Sequence, residues 1–136
     1  MSFRKRGVTL AVAVLTAAIV SLTLGPMLTA QGHTHTYSAS ISIRYKASGN
    51  KFLGHLGTGQ PCRKGRVVSV FLVQPGADRL LGKDRTDSDG DYGVKNSAGL
   101  TGGFYAKTPR EVRGDGYQHQ HTCKKARSET INVTTP

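Results

Sequence analysis

Four of the five histidines in the chain occur as two pairs, each with one residue between the imidazoles. His33 and His35 form the first pair, and His119 and His121 form the second. Side chains two positions apart on an extended strand lie on the same face, so each pair can offer two nitrogens to one borderline metal ion. The residues therefore support the hypothesis of a copper- or nickel-type site at these four histidines.

A cut in the chain after Ala30 would add a second way to hold such an ion. It would leave a free amine at Gln31 and place His33 third from the new terminus. An amine, two backbone nitrogens and an imidazole in that spacing form the square-planar set that copper(II) and nickel(II) favour. The alternative interpretation is that the histidines are polar residues of exposed loops, because apart from the two pairs no carboxylate or thiolate completes a ligand set.

The chain contains two cysteines, Cys62 and Cys123. In a small domain of an oxidising compartment, an even pair is typical of a disulfide. Closing a loop of about 62 residues would stabilise the fold by roughly 4 kcal/mol in the chain-entropy model. Neither cysteine has a CxxC or Cys-His spacing, so the sequence does not predict a structural zinc site.

Three basic residues follow each cysteine, and together they are Arg63, Lys64, Arg66, Lys124, Lys125 and Arg127. A bridge would bring the two cysteine Cα atoms to roughly 5–6 Å, and with them the six cations, near one edge of the fold. Like charges held together repel unless an anion or solvent screens them. The pattern predicts a site for an anionic envelope polymer or acidic glycan; the alternative is a solvated face whose side chains splay apart.

The amino-terminal segment has the layout of a secretory signal. A cationic start at residues 4–6 precedes an uncharged apolar run over residues 8–24. We expect a helical signal peptide over residues 1–30, cleaved after Ala30, which leaves no membrane span in the mature chain. An uncleaved anchor is the alternative, although about 17 apolar residues lie at the short end for crossing a bilayer.

The remaining residues, 31–136, form a chain of single-domain size. Loss of the signal lowers the formal net charge from +11 to +8, because that segment holds three basic residues and no acidic ones. Such a surplus favours anionic surroundings. Aromatic residues make up only 7% of the chain and tryptophan is absent, so we predict no stacking platform for specific nucleic-acid binding.

Alternation of apolar and polar residues predicts strands throughout this part of the chain. In residues 37–45 the aromatic and aliphatic side chains face one way and the serines the other, and residues 66–74 form the most apolar, β-branched run, typical of a central strand. Other short strands are predicted at Phe52 to Leu56, Leu80-Leu81, Tyr92 to Val94, Phe104 to Ala106 and Ser128 to Thr134, with a polar loop over residues 110–125. About seven strands without a helical period predict an all-β, two-sheet sandwich with Greek-key connections.

Four aspartates, Asp84, Asp87, Asp89 and Asp91, invite comparison with a calcium loop. An EF-hand loop needs glycine at its sixth position and glutamate at its twelfth, and with Gly90 sixth the twelfth residue is Asn96. The better interpretation is a hairpin turn in which the Asp87 carboxylate accepts backbone hydrogen bonds and Gly90 supplies a positive φ.

Several segments together resemble a known family; they are Phe52-Leu53-Gly54, Cys62 with residues 66–71, Leu81-Gly82, Thr86 to Tyr92, Gly103 to Ala106, and Cys123 with residues 126–133. This arrangement is similar to that of transthyretin-like β-sandwich domains, also called prealbumin-like or carboxypeptidase-regulatory-like. The resemblance implies a transthyretin- or Ig-like sandwich and a small secreted protein without an assigned activity.

Two enzyme families of related architecture have site motifs that can be looked for in this sequence. Purine-pathway hydrolases of the transthyretin family end in Tyr-Arg-Gly-Ser, whereas this chain ends at residues 131–136 without that motif. Intradiol dioxygenases bind ferric iron through two tyrosines and a His-x-His pair, which His119 and His121 match in spacing, with Tyr92, Tyr105 and Tyr117 upstream. The residues around these positions differ from the pattern of those enzymes. No nucleophile elbow, phosphate-binding loop or HExxH pair occurs, so we predict no catalytic residues.

From these observations we expect a non-enzymatic β-sandwich module that is secreted or held at the cell envelope. Its expected partner is an anionic envelope polymer, a glycan or a surface protein, and no cofactor is expected. The alternative, from another class, is the copper- or nickel-type binding protein. An iron-dependent intradiol-type oxygenase has the least support, because a shared fold does not carry a function.

Overall fold

The computed structural model describes residues 32–114, 116 and 119–135. In these residues the chain forms a short 3₁₀ helix, Gln60–Cys62, and twelve strands. The strands are β1 His33–Tyr37, β2 Ala39–Ile41, β3 Arg44–Lys46, β4 Lys51–Thr58, β5 Val67–Leu72, β6 Arg79–Arg85, β7 Asp91–Lys95, β8 Gly102–Thr108, β9 Glu111–Gly114, β10 His119–Cys123, β11 Ala126–Arg127 and β12 Ile131–Val133. The all-β prediction is confirmed. The predicted signal peptide, residues 1–30, lies outside the described residues.

Two antiparallel sheets form the sandwich. In the first, β5 lies between β6 and β8, and β8 pairs on its other edge with both β11 and β12. In the second, β4 lies at the centre, with β2 and β3 along one edge and β7 along the other. The chain changes sheet after β4, β6 and β7. Residues 66–74 were predicted to form a central strand, and β5, which lies within them, does have a neighbouring strand on each side.

The core lies between the inner faces of these two sheets. Phe52 of β4 and Phe104 of β8 are fully buried, and their rings meet across the interface with centroids 4.5 Å apart. Val68 and Val70 of β5 are also fully buried. Each such side chain stabilises the fold by about 1.5–3 kcal/mol relative to an exposed position, so the apolar alternation of the strands accounts for the pairing of the sheets.

The strand predicted over residues 37–45 has the expected alternation but is interrupted. Its apolar residues are buried or half-buried and its serines are exposed, while β2 ends at Ile41 and β3 begins at Arg44. Between them the carbonyl of Ser42 accepts a hydrogen bond from the buried Tyr92 hydroxyl at 2.7 Å. A side chain at Gly54 would collide with both groups, so a glycine is required at that crossing.

The turn that follows β6 has the predicted hydrogen bonds, but it does not join two paired strands. One Asp87 carboxylate oxygen accepts hydrogen bonds from the amides of Asp89, Gly90 and Asp91, and Gly90 has a φ of +95°. The prediction of a hairpin is wrong, because β6 pairs with β5 whereas β7 pairs with β4. The turn instead carries the chain from one sheet to the other.

A third, smaller sheet lies where a polar loop was predicted. Residues 110–125 contain β9 and β10, which pair antiparallel, and β1 adds to β10 in parallel. The loop prediction is wrong because these strands are mostly polar, with β1 largely exposed and β10 half-buried, so they lack the one-sided apolar pattern that marks a strand over a core.

Candidate functional site

A disulfide links Cys62, at the end of the 3₁₀ helix, to Cys123, at the end of β10. Their Cα atoms are 5.5 Å apart, within the separation expected for a bridge. Both cysteines are fully buried. The structure thus has the predicted pairing, which ties the small sheet to the segment between β4 and β5.

Arg66, one of the six cations predicted to bind an anion, is fully buried. Its Nε lies 3.2 Å from a Glu111 carboxylate oxygen, and its Nη2 donates hydrogen bonds to the carbonyls of Pro109 and Lys124. Burial lowers the pKa of this guanidinium, and the Glu111 carboxylate opposes that shift. Arg66 therefore holds internal segments together and is not available to an external anion.

Three of the other predicted cations stay beside the disulfide. Arg63 is half-buried, and its Nη2 donates to the Thr58 carbonyl at 3.3 Å. Lys64 and Lys124 are exposed. The main-chain carbonyl of Lys64 accepts a hydrogen bond from Arg113 at 2.6 Å, which anchors the backbone of this loop and leaves the Lys64 ammonium in solvent.

The two remaining predicted cations are Lys125 and Arg127, and Arg127 lies in a row of residues that crosses the outer face of the first sheet. Ser69 of β5 is paired with Lys83 of β6 on one side and with Lys107 of β8 on the other. Lys107 is paired in turn with Arg127 of β11. Paired residues point to the same face of a sheet, so three cations from three strands share one surface.

Two aromatic rings lie against the same row. Phe71 and Tyr105 stack with centroids 5.4 Å apart and planes inclined by 13°. The Lys107 ammonium lies 4.3 Å from the Phe71 centroid, and the Arg127 guanidinium carbon lies 3.8 Å from the Tyr105 centroid. Each contact is a cation–π interaction worth about 0.5–1 kcal/mol at an exposed site. The rings therefore hold the two cations in place.

The Tyr105 hydroxyl fixes the end of this aromatic pair by donating a hydrogen bond to the Asp78 carboxylate at 2.8 Å. This bond lowers the pKa of Asp78. Burial and the same carboxylate raise the pKa of Tyr105. The tyrosine is thus a neutral support for Arg127.

We call the basic face the surface formed by Phe71, Lys83, Tyr105, Lys107, Lys125 and Arg127. These residues line an open groove of about 800 Å³. Leu80, 44% exposed, forms part of its wall. None of the ion pairs among the described residues involves its four cations. Lys107 and Arg127 lie directly opposite each other, a position in which like charges repel, and the Asp78 carboxylate at the end of Tyr105 is a negative charge that acts on both.

Lys125 and Arg127 were predicted from the sequence to bind an anion, whereas Lys83 and Lys107 were not. A local signal existed for Lys107, which is two residues from Tyr105 and so shares its face. No local signal existed for Lys83, because its place in the row depends on the pairing between β5 and β6.

The four histidines predicted to bind a metal ion lie on the small sheet. The parallel pairing of β1 with β10 sets His33 opposite His119 and His35 opposite His121. We call these four residues the histidine ladder. Partners in a ladder share a face, and so do residues two apart along a strand, so all four side chains are on one side of the sheet. The structure brings together two pairs that are 84 residues or more apart in the chain.

His35 and His121 form the better packed of the two pairs, and we call this pair the inner rung. The rings of His35 and His121 have centroids 6.4 Å apart, and the Tyr37 ring meets His121 edge-on at 5.6 Å. Nδ1 of His121 is buried without a hydrogen-bond partner in the described part of the chain. Among residues 32–114, 116 and 119–135, no three His, Cys, Asp or Glu side chains already converge on one point.

The tyrosines considered as iron ligands have other partners. The Tyr92 hydroxyl donates to the carbonyl of Ser42, and the Tyr105 hydroxyl donates to Asp78. Tyr117 lies outside the described residues. Neither described tyrosine hydroxyl is thus placed as a ligand beside the histidine ladder.

A second cavity, of about 530 Å³, is lined by residues that include Ser42, His55 and Asp91. The His55 ring nitrogen lies 2.9 Å from the Asp91 carboxylate. The Ser42 hydroxyl donates to the His55 carbonyl and accepts from the His55 amide, so its described hydrogen bonds are to the main chain of His55 rather than to its ring. The serine is therefore positioned by the strand and is not paired with the imidazole as a nucleophile would be with its base.

No protein-family model, curated protein or solved structure matches this chain. In the described residues, no helix has the length and apolar character needed to span a membrane.

Proposed function

We propose that this protein is a secreted, non-enzymatic β-sandwich module of the transthyretin-like type that binds anionic polymers on its basic face. The two-sheet sandwich and the Asp87 turn support the family resemblance. The buried disulfide and the signal-like segment at residues 1–30 support export, because such bridges persist in oxidising compartments.

The observation that carries the proposal is the row of cations across the first sheet. Strands lie about 4.8 Å apart, so the row from Lys83 to Arg127 spans about 14 Å over three strand spacings. An open surface of that length suits a linear polymer with repeated charges better than a single small anion. The aromatic rings beneath Lys107 and Arg127 already restrict these two side chains, so less conformational entropy is lost when a polymer binds.

Titration with heparin fragments and with polyphosphate tests the proposal, and the matched variants carry equal charge changes on two surfaces. K107Q/R127Q neutralises two cations of the basic face, and K64Q/K124Q neutralises two exposed cations beside the disulfide. We expect the first pair to weaken binding at least tenfold and the second less than threefold. Thermal unfolding of each variant verifies that the fold is kept.

Equal losses in the two double variants would show that net charge alone drives retention, and the basic face would then not be a site. Binding that is unchanged between low and high salt would overturn the electrostatic basis of the proposal.

A further inference from the structure

The histidine ladder places four imidazoles at the corners of one small area. Neighbouring strands lie about 4.8 Å apart, and two residues along a strand advance about 6.6 Å. His33, His35, His119 and His121 occupy the four backbone positions of this area and share one face. His33 and His35 are exposed, so their side chains are able to rotate over it.

The inner rung supplies an independent sign of a missing ligand. Nδ1 of His121 is buried and has no hydrogen-bond partner in the described chain, an arrangement that costs about 1–3 kcal/mol for a polar group. The Tyr37 ring packs against His121 and fixes its orientation. The facing ring of His35 is 6.4 Å away between centroids, with the two ring planes inclined by 35°.

We propose that the histidine ladder binds one borderline divalent transition-metal ion, of the copper(II) or zinc(II) class, with His35 and His121 as its central ligands. Imidazole nitrogen suits these ions. Rotation of the exposed His33 side chain supplies a third nitrogen, and water or His119 completes the set. This site is separate from the basic face, and it holds whether or not that face binds a polymer.

Metal binding at this place would also fasten β1 to the fold. Among the described strands, β1 joins the small sheet only through β10, and it has five paired positions there. An ion shared by His35 and His121 cross-links the two strands. A ligand that binds only the folded state raises stability in proportion to the logarithm of its concentration over its Kd.

The test uses the full chain without a histidine tag, stripped by a chelator and titrated with copper(II) and, separately, zinc(II). We expect one ion per chain by elemental analysis after gel filtration. H35A and H121Q are each expected to weaken binding at least tenfold in calorimetry. H55A is the matched control, since His55 is an exposed histidine of β4 that is outside the ladder, and its change is expected to be below twofold.

A paramagnetic spectrum of the copper form gives a second readout, and two or more coupled imidazole nitrogens are expected. Wild-type protein that retains neither ion would overturn the proposal. So would loss of binding in H33A while H35A and H121Q still bind normally, because the ion would then not depend on the two central ligands. Thermal unfolding of the stripped H35A and H121Q variants at the wild-type temperature keeps a folding defect from being mistaken for lost ligation.

Discussion

The guanidinium carbon of Arg127 lies over the ring of Tyr105, 3.8 Å from its centroid, although the two residues belong to different strands. The cation is exposed while the ring beneath it is only 5% exposed. The aromatic side chain thus acts on an external ligand through the cation that it supports. The contribution of the Tyr105 ring to polymer binding can therefore be tested without removing the charge of Arg127.

Replacing the ring without changing any charge is therefore expected to weaken polymer binding. Y105L removes the surface on which Arg127 rests, and we expect a loss of about threefold to tenfold in affinity for heparin fragments, in line with one lost cation–π contact of about 1 kcal/mol. Y105F keeps the ring and removes only the hydrogen bond to Asp78. Calorimetric affinities of Y105F close to wild type would support this role, and equal losses in the two variants would assign the effect to the hydroxyl.

Loss of the buried guanidinium at Arg66 is expected to destabilise the fold. R66M leaves the carbonyls of Pro109 and Lys124 without their donor and removes one of the two cations paired with Glu111, the other being Arg113. We expect the free energy of unfolding to fall by about 1–3 kcal/mol, because hydrogen-bond partners of a buried side chain are left unsatisfied. K64M changes an exposed cation two residues away and is expected to cost less than about 0.5 kcal/mol. Urea unfolding measures both, and a wild-type midpoint for R66M would contradict the internal role of Arg66.

Removal of the disulfide is expected to lower stability without altering the first two sheets. The bridge closes a loop with a sequence separation of 61, and C62S/C123S should lose roughly 4 kcal/mol in the chain-entropy model. Urea unfolding with and without reductant gives the measurement. Reductant should shift the wild-type midpoint and leave the double variant unchanged; a wild-type midpoint insensitive to complete reduction would contradict the prediction.

Acid is expected to weaken the turn after β6. Hydrogen bonds from the amide of Asp91, and then from those of Asp89 and Gly90, lower the pKa of Asp87 below its ordinary value of 3.8. A carboxyl with a lowered folded-state pKa stabilises the fold above the ordinary value, and this contribution is lost as pH falls through the folded-state pKa. Melting temperatures of wild type should therefore fall below about pH 4, and those of D87A should fall less.

D89A provides the control for this turn, because it removes a neighbouring carboxylate and keeps the Asp87 acceptor. It should melt above D87A at neutral pH and retain the acid dependence of wild type. Identical profiles for D87A and D89A would show that general charge, rather than the Asp87 hydrogen bonds, governs acid stability.

Local patterns were sufficient for most of the sandwich strands, although no strand was predicted at β11. Val68 and Val70 lie in the apolar, β-branched run that predicted a central strand, so composition together with periodicity reveals these strands. The disulfide followed from the number of cysteines and the predicted compartment. The turn residues around Asp87 were also recognisable, since their hydrogen bonds are local.

Features that depend on strand pairing were not predictable from local patterns. Nothing near Lys83 indicates that it shares a row with Arg127, and nothing near His35 indicates that it faces His121. Both facts come from register, which is decided by packing between distant segments. The small sheet was missed for a related reason. Its strands bury little apolar surface, so their residues do not show the alternation of apolar and polar side chains that predicts a strand.

The parallel pairing of β1 with β10 sets an order of assembly. β1 is synthesised first among the described strands, yet its partner follows only after most of the chain, with His33 paired to His119. The sandwich strands from β2 to β8 are complete before β9 and β10 have left the ribosome. The small sheet and the Cys62–Cys123 bridge therefore cannot close until β10 has been made, after the strands from β2 to β8, and until then β1 has no neighbour in its own sheet.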